Sequence, residues 1–210
     1  MILFNSLLAI HIMAGCIAMS TSIAALSTKK GKHKHRIFGR YFFYSMNGLF
    51  FTAIPMSLLQ ENRFLFCIAI FSYYLAWTGW RYALRKILPA TRVDKLISFI
   101  MLLVSIGMIS LAFWNWNSSS YESIVLLVFG LLGGRFSLSD LILFRQTHYP
   151  KHERFIRHIG GMVGGTIAVF TAVLVVNVRF QPEWILWLGP TIIFIPLIAY
   201  WVIRVKKGQL

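Results

Sequence analysis

Long apolar runs alternate with short basic gaps along the whole chain. Seven runs reach the roughly 20 residues a helix needs to cross hydrocarbon: about 3–26, 41–60, 64–84, 96–114, 122–144, 157–178 and 184–203. Inside a bilayer every backbone amide must be satisfied within its own segment or a closed barrel, so runs of this length predict helices. Pro55, Pro190 and Pro196 fall inside the second and seventh runs and predict kinks there. The first run begins at Ile2 with no basic residue before it, and a positive cluster follows it. That order is expected of an uncleaved first span, not of a secretory leader. The expected fold is all-α: a single domain over 1–210, an integral membrane bundle of about seven transmembrane helices.

Composition agrees. The 210 residues are 58% hydrophobic, above the 45–50% usual for soluble domains, and the mean hydropathy is +0.69. The net charge of +15 comes from 21 Lys and Arg against 6 Asp and Glu. Such a balance often signals nucleic acid, but here the cations sit in gaps between spans, where lipid and topology explain them better. Eighteen of the 21 fall on one side, in the gaps after runs one, three and five and in the tail; Arg63 and Arg179 fall on the other, and Arg135 lies within run five. The asymmetry predicts the N-terminus outside and the C-terminus in the cytoplasm. It also predicts anionic lipid as a partner of the cytoplasmic face and a cell-membrane location, with the bacterial inner membrane the natural host. Aromatic residues mark both expected interfaces: Trp114, Trp116, Tyr121, Trp184 and Trp187 outside; Tyr41, Trp80, Tyr82, Tyr200 and Trp201 inside.

Small residues recur at helical spacing: Gly160, Gly161, Gly164 and Gly165 in run six, Gly130 and Gly134 in run five, and Ala14, Ala18 and Ser22 in run one. They predict close helix approach and are compatible with a homo-oligomer. Cys16 and Cys67 lie in apolar runs without CxxC spacing, so two packed thiols are expected. The segments Lys32–Gly39 and Lys151–Gly160 look alike, but chance similarity of two basic loops explains them more readily than an internal repeat.

Ionisable groups at membrane depth are costly, and each is a functional candidate. Counting about 1.5 Å per residue, Arg135 lies roughly 15 Å deep, Asn47 about 10 Å and Asp140 about 7 Å, with His11 near the middle of its run. His35 and His158 fall at the inner boundary. With Ser137, Ser139, Tyr44 and Trp77 these predict a polar cavity opening to the cytoplasm, floored by Arg135 and His11. Arg135 keeps its proton and needs a counter-charge. Asp140, five residues on, lies on another face, so a bound anion or backbone carbonyls are alternatives. His35 and His158 share a depth and, with Asp140, could hold zinc or iron. His11 and His158 differ by about 15 Å and cannot share one haem iron. His148 and His152 are separated by Pro150, against a regular helical pair. Run seven has no lysine, which excludes a retinal Schiff base there. No Walker loop, GxSxG or dinucleotide fingerprint occurs.

His11 followed by Gly15, the stretch His35-Arg36-Ile37-Phe38-Gly39-Arg40, and His158-Ile159-Gly160-Gly161-Met162 running on to Ala168, Thr171-Ala172 and Val176-Asn177 together resemble a bacterial family of multi-span membrane proteins classed as a domain of unknown function. The resemblance spans most of the chain. It implies a shared fold and a shared role for His11, His35, Arg36 and His158, and brings no activity with it.

Three functions fit these residues. One is a metal- or haem-associated membrane protein, redox or hydrolytic, with His35, His158 and Asp140 as ligands. Another is a small transporter or anion-binding protein using Arg135 and His11. The last is a scaffold whose polar groups lock helices.

Overall fold

A computed structural model describes residues 2–84, 90–116, 121–146 and 152–209, and all its elements are helices. They are α1 (Ile2–Ser27), α2 (His33–Leu59), α3 (Arg63–Leu84), α4 (Arg92–Trp114), α5 (Tyr121–Leu143), α6 (Glu153–Asn177) and α7 (Trp184–Lys206). Six are long and apolar enough to cross a membrane. The exception, α3, has the length for it, about 33 Å, but carries Ser72, Tyr73, Tyr74 and Thr78. It can carry them because it packs against α2, α4, α5 and α6 at once.

The helices α2, α4 and α6 begin four to eight residues before the apolar runs that mark them. The sequence Lys32–Arg40, expected as a loop, is mostly the first two turns of α2, with Lys32 at its N-cap. Glu153–Arg157 likewise opens α6. Charged residues end a hydropathy run without ending a helix, since Lys, Arg and Glu are good helix formers. At α4 the start is set by a capping box: the Thr91 side chain accepts from the Asp94 amide, and the Asp94 carboxylate accepts from the Thr91 amide. Asp94 also takes Arg81 Nε of α3 at 2.8 Å.

Two tight antiparallel hairpins, α1–α2 and α4–α5, flank a central antiparallel pair, α3–α6, and α7 packs along α6. Glycines decide how close each pair comes. A Cβ on Gly161 would lie 2.6 Å from the Cα of Gly79 and 2.6 Å from the Leu75 carbonyl oxygen; one on Gly79 would lie 2.6 Å from the Met162 amide nitrogen. The crossing is therefore backbone on backbone. In α5 the tight positions are Gly130, against Ile109 and Met108, and Gly133, against Met101 and Ser105; Gly134 has more room. On α1 the buried positions are Ala18, Ser22 and Ala25, and Ala14 meets Gly48 of α2. Gly160 faces open space.

The larger core joins α3, α4 and α5 around Phe71, Tyr74, Met101, Met108 and Phe129. Trp187, expected at a membrane interface, is instead buried edge-on against Phe64, ring centres 4.8 Å apart. Tyr82, expected in the inner aromatic belt, is buried too. Trp114, by contrast, is 87% exposed, as an interfacial tryptophan should be. Cys16 is exposed and Cys67 buried, both as free thiols. His148 lies outside the described residues.

Replacing Gly161 by Ala should lower stability by about 1–3 kcal/mol, the usual cost of overpacking, because the obstructing atoms are backbone. Gly160→Ala, one residue away, should be close to neutral. Thermal unfolding of both variants in detergent checks this.

Candidate functional site

A cavity of about 1160 Å³ runs beside α3 between α2, α5, α6 and α7, and is half open. It exists because α5 and α6, though both packed against α3, scarcely touch one another. Its walls are mostly apolar, with Phe50, Ile68, Phe129, Leu132, Ile167 and Ile195 among them. Of the polar groups expected there, His11, Arg135, Ser139 and Asp140 do border it. The others do not. Ser137 is fully buried and donates to the Gly134 carbonyl at 3.2 Å. Tyr44 is exposed on the outer surface. Asn47 donates to the Phe43 carbonyl at 2.7 Å and accepts from the Tyr73 hydroxyl at 2.8 Å, tying α2 to α3. The polar cavity expected from the sequence is thus an apolar cavity with a few polar groups on its wall. Membrane helices satisfy their polar side chains against each other first, which removes them from the lumen.

The strongest polar cluster is at the end of the cavity where the basic segments gather. Asp140 of α5 is buried and receives three donors. The Tyr74 hydroxyl reaches one oxygen at 2.6 Å, the Tyr82 hydroxyl the other at 2.9 Å, and Arg157 of α6 bonds to it through Nη1. Arg157 also donates through Nη2 to Ser139 at 2.8 Å and through Nε to Glu153 at 2.6 Å. The ion pair links two helices whose backbones stay apart, on the wall of the cavity.

This overturns the proposed set of His35, His158 and Asp140 as metal ligands. The Asp140 carboxylate is spent on one guanidinium and two phenols, and among the described residues no three His, Cys, Asp or Glu side chains converge. His35 and His158 do meet, as their shared depth suggested: their ring centres are 6.2 Å apart and the planes nearly perpendicular. His35 Nδ1 is 3.0 Å from the Ala25 carbonyl oxygen, and His158 Nδ1 is 2.9 Å from that of Gly79. A carbonyl only accepts, so both rings carry a proton on Nδ1.

Arg135 lines the cavity from the middle of α5, side chain exposed along it. It has no hydrogen-bond or ion-pair partner among the described residues, Asp140 included. His11 binds Thr52 Oγ1 of α2 at 2.8 Å, and that hydroxyl in turn lies 2.7 Å from the Gly48 carbonyl oxygen. Since Thr52 donates to Gly48, His11 Nδ1 donates to Thr52, and the Leu49 backbone also hydrogen-bonds the imidazole. Arg157, Tyr74 and Tyr82 were missed as site residues. The charge pattern groups Arg157 with the loop cations, although its spacing of four from Glu153 is a helical ion-pair signal. Nothing in the two tyrosines' spacing announces a carboxylate on another helix.

This fold and cavity are those of a polytopic helical membrane protein with an intramembrane chamber. No family model matches the chain, and no curated protein or solved structure matches it either.

Removing Asp140 should strand Arg157 in a partly buried site. Asp140→Ala should cost about 3–5 kcal/mol, and Tyr82→Phe about 1.5–3 kcal/mol, the value of a hydrogen bond to a charged group. Replacing Asp140 and Arg157 together by Leu should recover most of the loss. Thermal unfolding of the three proteins tests the ordering.

Proposed function

We propose that this protein binds an amphiphilic anion within the membrane, an apolar body with a carboxylate or phosphate head, and serves as a small transporter or anion-binding protein. The observation that carries the reading is Arg135: a permanent cation on an apolar wall, with no counter-charge among the described residues, beside a volume of about 1160 Å³. The other guanidinium of the cavity, Arg157, is already neutralised by Asp140, so Arg135 is the charge left for a ligand. A cavity this large exceeds the usual 300–1,000 Å³ of small-molecule sites and suits a long-chain molecule. Its half-open form suits entry from lipid. His11, held by Thr52, borders the same cavity as a second polar group. The 18-to-2 distribution of cations supports a cytoplasmic C-terminus, contact of the basic end with anionic lipid, and residence in a bacterial inner membrane. The resemblance noted above supports a role shared with that family.

The test uses a long-chain fatty acid as the anion and its alcohol as the neutral control. Oleate at 100 times its Kd should stabilise the detergent-solubilised protein by about 2.7 kcal/mol, and oleyl alcohol much less. Arg135→Gln should stay folded and lose the oleate response. Equal stabilisation of that variant by oleate would end the anion reading. A scaffold role for Arg135 would show as lowered stability of the variant before any ligand is added.

A further inference from the structure

One turn beneath the paired imidazoles lies a thioether. Met162 follows His158 by four residues on α6, so both occupy one face. Its Cε comes within 4.0 Å of the point where a Cβ on Gly39 would lie, and its Cγ within 3.0 Å of the same point on Gly79. Gly39 in turn follows His35 by four residues on α2. Two i, i+4 pairs thus face each other: His35 and Gly39 on α2, His158 and Met162 on α6. The missing side chain at Gly39 leaves room for the methyl end of Met162, one helical turn from the His158 position. Gly79 contributes twice, by its small size against Met162 and by its carbonyl oxygen, which takes His158 Nδ1 at 2.9 Å.

We propose that His35, His158 and Met162 form a binding site for a monovalent copper ion. Four observations meet there. Each imidazole is oriented by a hydrogen bond from Nδ1 to a backbone carbonyl, the outer-shell arrangement that prepares Nε2 as a metal ligand. The ring centres are 6.2 Å apart; metal–nitrogen bonds of about 2.0–2.1 Å put two imidazoles on one ion at roughly 5–6.5 Å between ring centres, the wider value for a near-linear pair. The third donor is a thioether, which with imidazole selects cuprous copper over harder ions. Finally, all three donors are neutral, and Lys30, Arg36 and Arg154 act electrostatically on these rings. They oppose a dication twice as strongly as a monocation, against Zn²⁺ and Cu²⁺. The site stands apart from the Arg135 cavity, which neither histidine lines, so it is independent of the anion reading.

The experiment is anaerobic competition between the full-length protein in detergent and bicinchoninate for cuprous copper, with Cys16→Ser throughout to remove the exposed thiol. The protein should withdraw one copper per chain, and X-ray absorption should show nitrogen together with one sulfur neighbour. Met162→Leu, nearly equal in volume, should keep its unfolding temperature, lose the sulfur signal and hold copper at least tenfold more weakly. His158→Gln should abolish retention, whereas Arg135→Gln should leave it unchanged. Failure to withdraw copper from the chelator would overturn the proposal. So would equal retention by Met162→Leu and His158→Gln, which would mark the metal as adventitious on His33 or His152.

Discussion

The bundle depends on the contact of α3 with α6 at Gly79 and Gly161, where backbone meets backbone with no side chain between. Hydrocarbon supplies no hydrophobic drive to join helices, so close van der Waals approach must do it. Once those two helices touch, much else follows. The Gly79 carbonyl comes within reach of His158. Tyr74 and Tyr82 on α3 and Arg157 on α6 end up on either side of Asp140. And α5, packed on α3 but not on α6, leaves the cavity open between them.

The chain handles its costly polar groups by distributing them over helix interfaces. His11 with Thr52 joins α1 to α2, Asn47 with Tyr73 joins α2 to α3, and Asp140 joins α3, α5 and α6. Each pairing leaves a backbone or side-chain atom satisfied that lipid could not satisfy. Against that background Arg135 stands out, because its charge is met by nothing in the described protein. The two histidines near the basic end differ from it: each is held through Nδ1 by a backbone carbonyl.

Much of this was legible in the sequence. Seven helices lie where hydropathy put them, and α1, α3 and α5 match their apolar runs to within a residue. The early starts of α2, α4 and α6 were not legible, because a hydropathy run measures contact with lipid and a helix continues as long as its backbone is bonded. That difference turned His35 from a loop residue into a helix residue. Their meeting was read correctly from depth alone. Depth could not supply the azimuth, so Asp140 was assigned to the histidines when it belongs to Arg157. Gly79 escaped notice because it is a lone glycine in an aromatic stretch, whereas Gly161 sits in an obvious small-residue series.

The α3–α6 contact can be tested in the native membrane. A Cβ on Gly165 would lie 3.5 Å from the Cβ of Ala76, inside the range for a disulfide. With Cys16→Ser and Cys67→Ala, the pair Ala76→Cys and Gly165→Cys should oxidise rapidly within one chain, giving a faster-migrating species that reductant reverses. If the pair stays reduced under mild oxidant while a cysteine pair at Ala14 and Gly48 closes readily, α3 and α6 are not neighbours and the account of both sites falls.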